Sequence, residues 1–202
     1  MTTAVLTMPK AAPAQPLQPH RWTIAEYREL DKTGLFHDVK TMLLDGEFYV
    51  MPMPSPLHDI SLSCAEEFLR RAFASGVYIR NQMGFDIGTR NDPGPDLAVV
   101  PGAIRDYSKN APNSAIVIVE VAVTSLVADT TTKAELYAVA GVPDYWVIDV
   151  TNRQLHVFRD PVAHPAGRGA NAYRTRQTFG PNDTVSPLAM PTASVLVADL
   201  LP

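Results

Sequence analysis

Residues 115–123 read AIVIVEVAV. The run is too short for an ordinary buried helix, and it is rich in the β-branched valine and isoleucine that fit a pleated surface. It is apolar on both faces except at Glu120, so it reads as a central strand covered by helices on both sides. The exception matters. An isolated charge in such a strand is costly, so Glu120 should be paired, protonated or bound to metal.

Working outward, the turn-forming Asn91-Asp92-Pro93-Gly94-Pro95 leads into Asp96–Val100 (DLAVV), a second short buried strand. Downstream, 129–140 is predicted helical and ends at Gly141. Tyr145–Val150 and Gln154–Arg159 then form a predicted hairpin through Thr151-Asn152-Arg153. Upstream, Thr23 with Glu26 has capping-box spacing for a helix Ile24–Asp31 that ends near Gly34. In TMLLDGEFYVM (41–51), Leu44, Phe48 and Val50 share one face, and Asp45, Glu47 and Tyr49 the other. Asp45-Gly46 is either the tight turn of a hairpin or a bulge in one strand.

Ser55 as N-cap and Pro56 at the first helical position open a second helix. Its core stripe is Ile60, Cys64, Phe68, Ala72 and Phe73, and Gly76 stops it. Val77–Asn81 and Phe85–Gly88 read as short strands, 161–172 as a loop, and the remainder as weak strand broken by Pro187 and Pro191. This order implies an α/β layered domain with a mixed β-sheet flanked by helices. Residues 1–20, with four prolines, read as a disordered tail, and 21–202 as a single domain.

Composition narrows the function classes. The 202 residues are 46% hydrophobic and 19% charged, as in a globular protein. Cys64 is the one cysteine, so no internal disulfide forms and no Cys/His set suggests structural zinc; a cytoplasmic setting is expected. No apolar run approaches the roughly 18 residues of a membrane span. The net charge of −4 counts against tight sequence-independent DNA binding, unless Arg70, Arg71, Arg80, Arg90 and Arg105 form a local basic strip.

The chemistry gathers around Glu120. Asp96 opens the preceding strand, so two neighbouring strands can each deliver a carboxylate to one point. Magnesium suits such a pair, because it binds through one or two carboxylates and keeps several waters. Lys133 follows Glu120 by 13 residues, and Asp129, Lys133 and Tyr137 recur at i, i+4, i+8 on one helix face. If that face covers the sheet, the ammonium reaches a phosphate or a metal-activated water.

Pro95-Asp96, then Glu120, then a lysine resembles the PD-(D/E)xK nuclease superfamily. More narrowly the chain resembles the Uma-two family of bacterial endonucleases, long described as a domain of unknown function. The supporting pieces run in order from about Arg21 to Arg159. They are Leu44-Asp45-Gly46-Glu47 with Val50-Met51, Ser55-Pro56 with His58, 95–100, 119–121, Asp129 with Lys133 and Tyr137, and 141–149. The resemblance implies a restriction-endonuclease-like core. It implies Asp96 and Glu120 as metal ligands, Glu47 as a third acid, and Lys133 as the catalytic lysine, with His58, Asp129 and Tyr137 in support. The chain departs from the superfamily where Ala122 stands two residues after the second acid, the lysine having moved to the helix. It departs from the family where 122–126 read AVTSL, without a proline.

The leading expectation is a hydrolase: a Mg²⁺- or Mn²⁺-dependent endonuclease acting on DNA through metal-activated water, expected to pair as a homodimer and to have no membrane role. The alternatives are a non-catalytic binding or assembly module on the same fold, and a phosphodiesterase for a small substrate. Residue by residue, Asp96 could instead cap its turn, Glu120 could be a buried ion-pair partner, and Lys133, Glu47 and His58 could be ordinary surface or helix-end residues.

Overall fold

The computed structural model describes residues 18–162 and 172–202. The expected tail up to position 17, and most of the 161–172 loop, lie outside them.

Helix α1 (Ile24–Lys32) opens with the full capping box, Thr23 and Glu26 each satisfying the other's backbone N–H. Strands β1 (Thr41–Leu44) and β2 (Glu47–Val50) form a hairpin. Asp45 and Gly46 both have positive φ, as a two-residue turn between twisted strands demands. The hairpin, not the bulge, is therefore what Asp45-Gly46 encodes. The turn also regroups the faces: Leu44 pairs with Glu47 and Leu43 with Phe48, so Leu44 shares a face with Glu47 rather than with Phe48.

Helix α2 (Pro56–Ala72) begins at the Ser55 cap, whose hydroxyl accepts the His58 N–H. Its buried stripe is Leu62, Ala65, Phe68, Leu69 and Ala72. Ile60, expected in the core, is 48% exposed, because the sheet lies beneath the 62/65/69 row instead. Strands β3 (Val77–Asn81), β4 (Leu97–Pro101), β5 (Val117–Ala122), β6 (Asp144–Asp149), β7 (Gln154–Pro161) and β8 (Tyr173–Phe179) make one sheet in that spatial order. Only β5 and β6 pair in parallel. Residues 85–88 are not a strand. Phe85 and Ile87 are buried, but the Asp92 carboxylate takes the Phe85 N–H and Ile87 bridges only Asn91, so the segment closes locally.

Between β5 and β6 the chain is helical throughout 126–139, but not uniformly. Helix α3 (Leu126–Ala128) passes into a π turn (Asp129–Lys133) and then helix α4 (Ala134–Val139). Alternate residues of the central strands enter different layers. Leu97, Val99, Val119, Val121 and Trp146 pack with α2. Ala98, Ile118, Ala122, Tyr145 and Val147 pack with Ala134, Tyr137 and Ala138 of α4. This helix–sheet–helix sandwich is the architecture the apolar run at 115–123 requires. No described helix is long and apolar enough to cross a membrane.

Candidate active site

Asp96 immediately precedes β4. Because Leu97 pairs antiparallel with Val119, continuing the register sets Asp96 opposite Glu120. The Val121 N–H donates to Asp96 Oδ2 at 2.9 Å, fixing the carboxylate against β5. Asp96 Oδ1 accepts from the Gln82 amide at 3.2 Å, and His58 Nε2 lies 3.2 Å from Oδ2. Burial pushes the Asp96 carboxyl up, but His58, Lys133 and the Val121 amide outweigh it and hold the pKa down at about 2. The same contact raises the pKa of His58.

Glu120 shares the α4 side of the sheet with Ile118 and Ala122 and is 1% exposed. Tyr137 donates to its Oε1 at 2.6 Å, and the Lys133 ammonium stands 2.9 Å from Oε2. Lys133 also lies 3.0 Å from Asp129 Oδ1, while Ser125 donates to Asp129 Oδ2 at 2.5 Å. Burial raises the Glu120 pKa more than Lys133 lowers it, and the carboxylates of Asp96 and Asp129 add to the rise, so it stands at about 8. Burial alone would discharge Lys133, yet Glu120, Asp129 and Asp96 hold its pKa above the ordinary ammonium value. Three buried acids therefore surround the Lys133 ammonium, with His58 and Lys40 the other basic groups at the cleft, and the crowding of carboxylates falls on Glu120, which holds its proton.

The π turn is where this geometry is made. An inserted residue widens the helix at Asp129–Lys133, and the Asp129 carbonyl accepts from the Tyr145 hydroxyl of β6 at 2.7 Å. Lys133, 4% exposed, is thereby turned inward rather than lying on the surface as most helix lysines do.

Asp96, Glu120, Asp129, Lys133 and His58 line one cleft of about 360 Å³, while Tyr137 lies beneath it, bonded to Glu120. Glu47 does not join them. It is held by Arg21 and by the Tyr49 hydroxyl, which donates to it at 2.6 Å, and it is absent from the cleft wall. Glu47 shares a face with Tyr49, but it sits at the turn end of β2 beside Arg21, whereas Tyr49, two residues on, reaches the cleft. Two cleft residues escape a reading of the sequence. Gln82 follows β3 at a positive φ, and Lys40 precedes β1. Neither interrupts an apolar run, which is the signal that exposes Glu120.

The residues fit a divalent cation in one specific sense. Asp96 and Glu120 are buried carboxylates directed at a common cleft, the number magnesium commonly takes from protein. Among the described residues no group of three or more His, Cys, Asp or Glu side chains is placed to hold a metal.

Residues 24–198 match the family described as Uma2, "putative restriction endonuclease". The chain belongs to the Uma2 family. The expected resemblance thus holds over most of the chain. The fold is also similar to a crystal structure described as a "putative nuclease belonging to DUF820" from Anabaena variabilis. That structure has a TM-score of 0.66 and 14% identity, covering 88% of this chain and 96% of that one. At this identity the likeness speaks for the fold, which is the restriction-endonuclease-like α/β fold expected of a Uma2 protein. No protein of curated function matches the chain significantly.

Proposed function

We propose that this Uma2 protein is a divalent-metal-dependent endonuclease that hydrolyses phosphodiester bonds in DNA. The observation that carries the reading is the convergence in one cleft of Asp96 at the head of β4, Glu120 of β5, and Asp129 and Lys133 of the helical segment that follows. Membership of a family described as restriction endonucleases supports it.

Asp96 and Glu120 would hold Mg²⁺ or Mn²⁺, and Glu47 is left out of the set on the geometry above. The bound ion would supply Lewis-acid activation of water and neutralise phosphate charge. His58 and Gln82 orient Asp96, His58 at Oδ2 and the Gln82 amide donating to Oδ1. Lys133 is a fixed positive charge beside the carboxylates, placed to stabilise the negative charge that builds on a phosphate in the transition state. Asp129 and Tyr137 position Lys133 and Glu120 respectively.

One observation favours a second reading, a non-catalytic module on the nuclease fold: Lys133 already bridges Glu120 and Asp129. The two readings part experimentally. Supercoiled plasmid incubated with Mg²⁺ or Mn²⁺ is cleaved by the wild type, and Asp96→Asn or Lys133→Met slows cleavage by about 10²–10³-fold. Cleavage that survives both substitutions sinks the assignment. Calorimetric Mn²⁺ binding that is absent, or indifferent to Glu120→Gln, supports the module.

A further inference from the structure

A second cleft, of about 530 Å³, opens beside the first and shares Lys40 with it. Its chemistry is different. Four cations line it (Arg28, Lys40, Arg80 and Lys109) against two acids, Asp31 and Asp92. Arg28 is committed to Asp86, with Asp92 3.9 Å away. No hydrogen bond or ion pair engages the ammonium groups of Lys40 and Lys109 among the described residues, although burial lowers the Lys40 pKa and the Asp96 and Glu120 carboxylates across the first cleft partly offset this.

Arg80 is the built part of this cleft. It is 9% exposed, an unusual depth for an arginine without a carboxylate partner. Its Cζ lies 5.7 Å from the ring centroid of Tyr78 and 5.5 Å from that of Tyr107, so two aromatic faces hold the guanidinium plane. Nη2 donates to the Gly84 carbonyl at 3.2 Å, and Nε has no partner. A guanidinium fixed in this way is preorganised for an anion, and for phosphate in particular.

We propose that this second cleft is a backbone-phosphate subsite, in which Lys40, Arg80 and Lys109 hold DNA phosphates flanking the bond cut in the first cleft. The proposal rests on the nuclease reading and deepens it. A small diester offers one phosphate and needs one cleft. A polynucleotide carries a phosphate at every nucleotide, so a second cleft with more cations than acids, joined to the carboxylate cleft through Lys40, matches a polymer. It also accounts for DNA binding by a chain with a net charge of −4, since the positive field is local.

The test is binding of a short fluorescein-labelled DNA duplex, followed by anisotropy across a salt series in calcium buffer and again in chelator. Binding is thereby read without turnover. Lys40→Ala with Lys109→Ala should weaken binding about tenfold and reduce the slope of log K against log salt by about 2, near 0.9 for each phosphate no longer neutralised. Arg80→Gln should weaken it further and Arg80→Lys should restore part of the affinity, with thermal melts confirming that both fold. The control is Arg70→Ala with Arg71→Ala, which removes the same charge from the outer face of α2, where both arginines pair with glutamates. Equal effects of the two double variants, or no duplex binding by the wild type, would overturn the subsite. Plasmid cleavage that needs Asp96 while duplex binding ignores Lys40 and Lys109 sinks the subsite alone. Duplex binding that needs those lysines, without any cleavage, supports the subsite and sinks only the nuclease step.

Discussion

The contact between His58 and Asp96 has consequences in opposite directions of pH. Asp96 is held at about 2, below its ordinary 3.8, so its charged form stabilises the fold above 3.8 and that contribution disappears as pH falls toward 2. His58 is raised above its ordinary 6.5, so its protonated form contributes fully below 6.5 and the contribution is lost as pH rises through the folded value. Both groups are charged and paired between about 4 and 6.5. We therefore expect His58→Gln to cost about 1–2 kcal/mol there and progressively less on either side. Urea unfolding of wild type and variant across pH 3 to 9, without divalent cation, measures it. A deficit independent of pH would assign His58 a packing role only. The site around this pair is half legible in sequence. Asp96 is exposed by its place at the head of an apolar strand. The Gln82 contact is not, because it depends on a left-handed backbone residue meeting a strand 14 positions away.

At the scale of elements, the β1–β2 hairpin forms one wall of both clefts, and its turn is held from outside. The Trp22 N–H donates to the Gly46 carbonyl and the Gly46 N–H to the Arg90 carbonyl, each at 2.9 Å. A Cβ on Gly46 would stand 2.9 Å from the Trp22 carbonyl oxygen and 3.0 Å from its nitrogen, with φ at +72°. Backbone cannot yield as a flexible side chain can. Gly46→Ala is expected to destabilise by about 2–3 kcal/mol, from the left-handed penalty together with the displaced backbone. Chemical denaturation checks it, and an unchanged midpoint would mean the turn is not docked. Residues 45–46 also show where reading a sequence succeeds and fails. An Asp-Gly pair between apolar segments marks a turn, but whether the chain reverses there decides which side chains share a face. The reversal puts Leu44 on the face of Glu47 and leaves Glu47 at the turn, next to Arg21. The strands at 97–101, 117–122 and 144–149 are readable because burial on both faces leaves a continuous apolar run. The segment 85–88 (FDIG) buries Phe85 and Ile87 without joining the sheet, because its backbone N–H groups are taken by the Asp92 carboxylate, the Pro112 carbonyl and the Asn91 carbonyl. The π turn leaves no pattern in sequence: Asp129, Lys133 and Tyr137 keep helical spacing whether or not a residue is inserted.

For the whole molecule, the candidate site is a cost imposed on the fold. Three buried acids surround the Lys133 ammonium at the junction of the sheet with helices on both faces, and Glu120 at about 8 is poorly disposed to lose its proton near neutrality. A cation that binds the folded chain and not the unfolded one relieves this crowding and stabilises by RT ln(1 + [M]/Kd), about 2.7 kcal/mol at a hundredfold excess over Kd. For a domain of this size each kcal/mol moves the melting temperature by about 2–4 °C, so saturating Mn²⁺ should raise it by roughly 5–10 °C. The rise should vanish in Asp96→Asn and Glu120→Gln, which remove ligand charge, and persist in Glu47→Gln, which changes a residue outside the cleft wall. Differential scanning calorimetry with and without chelator reads all four proteins. A shift retained in Asp96→Asn, or abolished in Glu47→Gln, would place the cation elsewhere on the surface. In that case the carboxylates and Lys133 are a closed ionic network that shapes the fold, and the catalytic reading loses its metal.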